Sequence, residues 1–284
     1  MFQMIMDKKV FLLHTPRTTY VFRVLPTGQL EHLYYGRRLH FSKEGGDEIV
    51  DALAEKHAFA PGCSDVYDQE HRQYSLEDMR LEMSAYGKSD LREPFVELVH
   101  ADGSYTSDFV FEKMQHSKGK PAFQTLPGSY DDKGEVDHLC IWMCDKQYHV
   151  ELELHYFVYE DCDIITRSAR LINKSDKPVT VKRLMSAQID FDMPGYVMTT
   201  FHGAWAREMQ RDDFLISSGK FVNATYAGTS SNRANPFFML HPVQTTEDVG
   251  DCYGFNLIYS GNHMEAAEVN SYGKTRFVTG INPQ

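Results

Sequence analysis

Signatures of nucleophilic and nucleotide-binding enzymes are missing from this sequence. It contains no G-x-S-x-G elbow, no G-x-G-x-x-G after a strand and no phosphate-cradling Walker loop. The triplet Gly87-Lys88-Ser89 lacks the glycine four positions ahead of Gly87, where Met83 stands. Positive charge is scarce: 29 Lys and Arg against 40 Asp and Glu leave a formal charge of −11. No basic run relieves it, which excludes a nucleic-acid partner, because phosphate binding needs Lys and Arg gathered on one face. No apolar run approaches the roughly 18 residues of a membrane span. Residues 1–9 carry neither a basic leader nor an unbroken apolar segment of signal-peptide length, so a cytoplasmic protein away from membranes is expected. The five cysteines show no C-x-x-C pairing. Cys140 and Cys144 fall on one expected strand, where four residues span about 13 Å, too far for a disulfide. Buried free thiols are the expectation.

Helical signal is also thin. Residues 47–57 place Ile49, Val50, Leu53 and Ala54 on one side of a short helix, and Ser75 can cap a turn running to Met83. With no alternation of strands and helices, a (β/α)8 barrel cannot be housed here.

What is abundant is strand. The 16 Tyr and 18 Phe favour pleated structure. Residues 148–159 alternate strictly: Val150, Leu152, Leu154, Tyr156 and Val158 on one face, His149, Glu151, Glu153 and His155 on the other. That is a half-buried strand of an antiparallel sheet. Residues 18–25 and 29–36 read as a hairpin about Pro26-Thr27-Gly28, and 95–100 and 105–114 as a second about Ala101-Asp102-Gly103. Further strands are expected at 164–172, 179–191, 252–260, 263–270 and 275–280. The fold class is all-β and mainly antiparallel with minor short helices, one sandwich domain over residues 1–284.

Candidate chemistry is weighed against that background. Neighbours in the His149, Glu151, Glu153, His155 row stand about 7 Å apart, wider than one ion's shell, so a polar outer face and no metal are expected. A glycosidase needs two carboxyls facing each other across a sugar. Among the acidic pairs, Asp190 and Asp192 are the ones expected in structured surroundings. Two segments concentrate polar and aromatic groups beyond the needs of a core: 84–94, with Asp90 and Arg92, and 202–208 continuing to 230–237, with Trp205, Arg207, Asn232 and Asn235. A loop Trp flanked by Arg and Glu can stack on a sugar face or anchor a domain or subunit contact.

The stretches Tyr86-Gly87-Lys88-Ser89-Asp90-Leu91-Arg92-Glu93-Pro94, Ile165-Thr166-Arg167-Ser168-Ala169-Arg170 with Asn173, Gly203-Ala204-Trp205-Ala206-Arg207-Glu208, Asn235-Pro236-Phe237, 253–262 and Gly280-Ile281-Asn282-Pro283 resemble the bacterial α-galactosidases of glycoside hydrolase family 36. Their number and order across nearly the whole chain make the match specific. Ser89 and Asn232 depart from it, standing where family members often carry Gly and His. The resemblance implies an N-terminal β-supersandwich related to galactose mutarotase, followed by a catalytic (β/α)8 barrel and a small C-terminal β-domain. It implies a retaining hydrolase of terminal α-galactosides such as melibiose and raffinose, with no metal or organic cofactor. The family's nucleophile motif, Lys-x-Asp-x-Asn, occurs nowhere in this sequence, so no catalytic residue is expected in this chain. It ends at Gln284, where the family's sequence runs on toward the barrel, and a fragment is inferred. The expected role is packing on the barrel and supporting a homo-oligomer, with Trp205, Arg207, Asn232, Asn235, Asp90 and Arg92 at a pocket rim or contact. An autonomous galactoside-binding module and a mutarotase-like epimerase are the alternatives.

Overall fold

A computed structural model describes residues 1–40, 46–55, 65–230 and 233–283. Four strands open the chain, β1 (Phe2–Ile5), β2 (Val10–His14), β3 (Thr18–Val24) and β4 (Leu30–Arg37), and pair in sequence order as one antiparallel sheet. Helix α1 (Gly46–Glu55) and strand β5 (Val96–Val99) follow. A second meander is built from β6 (Phe109–Lys118), β7 (Asp137–Asp145), β8 (Val150–Tyr159) and β9 (Ile164–Asn173). The rest of the chain forms β10 (Thr180–Phe191), β11 (Tyr196–Ala204), β12 (Arg207–Leu215), β13 (Gly219–Ala224), β14 (Ala234–Pro242), β15 (Tyr253–Asn256), β16 (His263–Val269) and β17 (Thr275–Ile281). These interleave into a five-stranded sheet, β13-β16-β17-β10-β5, and a four-stranded sheet, β12-β11-β14-β15.

The all-β, antiparallel expectation holds, with 51% strand and 5% helix, but the two-layer, mutarotase-like supersandwich does not. The four sheets are arranged as a four-bladed, propeller-like ring. Alternation specifies that a strand has one buried face; it is silent on where one sheet stops and the next begins. Both architectures answer the same patterning. Within the ring all four sheets supply one continuous core, including Phe22, Phe95, Leu152, Tyr156, Phe238 and Phe277. On β8 the expected inward row, Val150 to Val158, is buried at every alternate position.

Most local expectations match, and the differences are instructive. The hairpin of β3 and β4 is present. The Asp102-Gly103 turn also forms, closed by bonds from His100 N to Ser104 O and from Gly103 N to His100 O, both 2.9 Å. Its flanking strands nevertheless part company: β5 pairs with β10 and β6 with β7. A turn signal reports local backbone geometry, whereas pairing is decided by which edge offers the better buried partner. Beyond Ser75 only a 3-10 turn forms, Leu76–Asp78, and the Ser75 side chain makes no capping bond. Residues 56 and 57 of the expected helix lie outside the described residues. Cys140 is a buried free thiol as expected, but Cys162 and Cys252 are exposed; Cys63 lies outside the described residues.

Candidate functional site

The first motif turns its polar groups inward. Gly87, Lys88 and Ser89 all take left-handed backbone angles, φ 93°, 54° and 64°. This tight reversal, closed from Asp90 N to Gly87 O, swings Asp90 toward the interior. There Asp90 and Arg92 join Asp190 on β10 and Arg276 on β17, cross-strand partners in the register. Arg92 Nε donates to Asp90 at 2.9 Å, Arg276 meets Asp90 and Asp190 at 2.8 Å each, and Arg92 reaches Asp190 at 3.2 Å. Arg92 also donates to the carbonyls of Leu76 and Met79. All four side chains are essentially out of solvent. Burial by itself pushes the Asp90 carboxyl up, but Arg276 and Arg92 outweigh it and hold the group below the usual carboxylate range. Two acids and two guanidinium forks give a neutral knot. Removing one member leaves a buried charge uncompensated, which costs about 3–5 kcal/mol.

A second knot, missed by the sequence reading, surrounds Glu82. Its carboxylate accepts from Tyr20 (2.6 Å) and Tyr156 (2.9 Å), and Arg167 lies at 2.9 Å. Arg167 further donates to the carbonyls of Gln188 and Glu82. Strands of three sheets (β3, β8 and β9, β10) are thereby tied to one buried acid. The only signal available in the sequence was Arg167 itself, an Arg within a strand-like segment.

The hairpin of β11 and β12 behaves in the opposite way. Ala204 pairs with Arg207, leaving Trp205 and Ala206 as the two turn residues, Ala206 with φ 59°. The turn is braced by a bond from Ala206 N to Glu208 Oε1 at 3.0 Å. At Gly203 a Cβ would lie 2.2 Å from the Arg207 carbonyl oxygen, so only glycine permits this closure. The turn is tightly closed at its base, and Trp205 projects from it 89% exposed with Arg207 exposed beside it. Asn235 sits at the start of β14, its Oδ1 accepting from Phe237 N at 2.9 Å and its Nδ2 pointing to Met209 Sδ on β12. Trp205, Arg207 and Asn235 therefore belong to one sheet and one hairpin neighbourhood. Asp90 and Arg92 lie apart from them in the interior, and Asn232 lies outside the described residues.

Other candidate acids are engaged as well. Asp192 meets Arg80 at 3.0 Å and Lys274 at 3.2 Å. His263 faces Glu265 at 3.0 Å and the Ala234 carbonyl at 2.8 Å, wholly buried. Among the described residues no helix is long and apolar enough to cross a membrane.

Residues 28–284 match the family model of the glycosyl hydrolase family 36 N-terminal domain. The chain is 32% identical over 278 residues to the bifunctional alpha-galactosidase/sucrose kinase AgaSK of Mediterraneibacter gnavus, covering 98% of this chain and 29% of that protein. The crystal structure of the alpha-galactosidase from Lactobacillus brevis superposes with a TM-score of 0.91 at 29% identity, over 99% of this chain and 37% of that one. A variant of alpha-galactosidase AgaA from Geobacillus stearothermophilus, solved in complex with raffinose, gives 0.88 at 31% identity over 97% and 37%. The chain thus spans about a third of the length of the relatives it matches. With the six motif stretches in order and a family match over most of its length, this chain belongs to the glycoside hydrolase family 36 N-terminal domains.

Proposed function

We propose that this chain is the non-catalytic front domain of a cytoplasmic, retaining α-galactosidase acting on terminal α-galactosides such as melibiose and raffinose, and that its β11–β12 hairpin works on a partner surface. The acid and nucleophile belong to a barrel encoded further along. The Trp205 tip then lies against that barrel or forms a wall of a neighbouring subunit's pocket in a homo-oligomer. One observation carries this reading: a large aromatic stands out in solvent at the tip of a turn closed so tightly that only glycine fits at Gly203. An exposed Trp with an adjacent Arg is the composition of an anchor or a sugar platform. Met209, Phe214 and Leu215 along β12 are also exposed, Phe214 and Leu215 on opposite faces of the strand. Family membership supports the hydrolase assignment, and no cofactor enters this chemistry. The mutarotase-type alternative needs a His and a Glu that sugar can reach; the His263–Glu265 pair is buried.

In the full-length protein, Trp205→Ala is expected to raise KM for raffinose or lower kcat by about tenfold, a loss of roughly 1.4 kcal/mol. Unchanged kinetics in a folded variant would remove Trp205 from the pocket. An unchanged oligomer mass as well would remove it from any subunit contact, and an unchanged melting temperature of the full-length protein from the barrel contact.

A further inference from the structure

The outer face of the β6–β9 sheet carries a cluster that the proposed function leaves unused. In the register of β7 and β8, Cys140 lies opposite His155 and His138 opposite Phe157. His138 Nε2 stands 3.0 Å from His155 Nδ1, and one ring nitrogen of each histidine and Cys140 Sγ all lie within 4.8 Å of one another. We propose that His138, Cys140 and His155 form a binding site for a thiophilic divalent ion, Zn²⁺ by its chemistry, with a water in the fourth position.

Two imidazoles and one thiolate are the donor set that favours zinc over calcium or magnesium. With Zn–N bonds of about 2.0–2.1 Å, two nitrogens on one tetrahedral ion are separated by about 3.3 Å, close to the observed gap. The longest separation needs to contract by about an ångström, which is within reach of side-chain rotation. The second ring nitrogens are already held. His138 Nδ1 faces Ser117 Oγ at 3.3 Å, and His155 Nε2 faces Glu153 Oε2 at 3.5 Å. Glu153 is fixed in turn by Trp142 Nε1 at 3.2 Å and Arg170 at 3.4 Å. A carboxylate behind a histidine that presents its other nitrogen is the arrangement that orients metal ligands. Ser168, opposite His155 on β9, has a buried hydroxyl with no hydrogen-bond partner, available to an ion-bound water. Phe157 stacks on His138 with ring centroids 4.4 Å apart and shields one side of the site.

Without metal the cluster closes as a relay: Ser117 O–H donates to His138 Nδ1, His138 Nε2–H to His155 Nδ1, and His155 Nε2–H to Glu153. On binding, the Cys140 S–H bond breaks, a Zn–S bond forms and one proton leaves to solvent. The His138 N–H moves from Nε2 to Nδ1, freeing Nε2 for the ion and turning the Ser117 bond around. No electron is transferred.

The test uses the purified chain after chelator treatment, titrated with Zn²⁺ and separately with Cd²⁺. Expected are one equivalent of zinc and a thiolate-to-cadmium charge-transfer band in the ultraviolet. Cys140→Ser should abolish that band, and His138→Ala and His155→Ala should each weaken zinc at least tenfold. Glu153→Gln, a positioning change, should weaken it by about tenfold, and His71→Ala should leave it unchanged. Both titrations use a chain whose exposed Cys162 and Cys252 are changed to Ser, so that the band does not arise from surface thiols and decides the matter even where a further variant fails to fold. No binding, zinc uptake without the band, or His155→Ala binding as tightly as that parent chain would each overturn the proposal.

Discussion

The two motif segments with the richest polar composition meet opposite fates. Segment 84–94 buries Asp90 and Arg92 in a neutral knot with Asp190 and Arg276, while the β11–β12 turn thrusts Trp205 into solvent. Motif membership alone therefore does not mark a surface that acts on a ligand. In one region the residue types are demanded by the interior, since a buried guanidinium needs its acids and each acid its guanidinium. In the other, nothing among the described residues covers the aromatic face. The contrast separates what holds this domain together from what it can offer to a partner.

The contrast breaks most directly at Arg276. Replacing it by Met leaves Asp90 and Asp190 short of a partner, and urea unfolding of the chain should show a loss of about 3–5 kcal/mol. A loss below about 1 kcal/mol would mean that the knot is incidental. A smaller and graded effect is expected from acid. Asp90 and Glu82 both titrate below their ordinary values once folded: burial pushes each up, and the facing guanidinium groups overcome it. Their contribution is fully present above the unfolded carboxylate values of about 4 and is lost as the pH falls through the lowered folded values. Burial holds the His14 and His138 imidazoles down at about 4, so below about 6.5 they protonate first in the unfolded chain. The urea midpoint should begin to fall there and fall further below about 4 as the carboxylates add their loss, and Asp90→Asn should lessen only that second drop. The smallest effect belongs to the hairpin: Trp205→Ala should shift the stability of the isolated chain by no more than about 0.5 kcal/mol, the counterpart of its kinetic effect in the full-length protein.

Much of this was legible in the sequence for a physical reason. Period-2 alternation names a strand and its buried face, and β8, β9, β10 and β17 fall where alternation and turn residues place them. Pairing over distance is another matter. The Asp102-Gly103 turn was readable, but the destinations of β5 and β6 depend on edges supplied far along the chain. The number of sheets, and with it the ring, escaped for the same reason. So did the burial of Asp90 and Arg92, because Asp190 and Arg276 reach them only through the register of β10 and β17. The His138, Cys140 and His155 cluster illustrates the limit most sharply. Along β8 alone the histidines are too widely spaced for one ion; the cross-strand neighbour supplies what the strand cannot.

The proposed function places the catalytic pair of an α-galactosidase outside this domain. The most direct measurement is hydrolysis of an aryl α-galactoside by the purified chain at high concentration. Release of the aryl alcohol at the uncatalysed background rate is predicted. Turnover well above that background, removed by a galactose-shaped competitor, would contradict it.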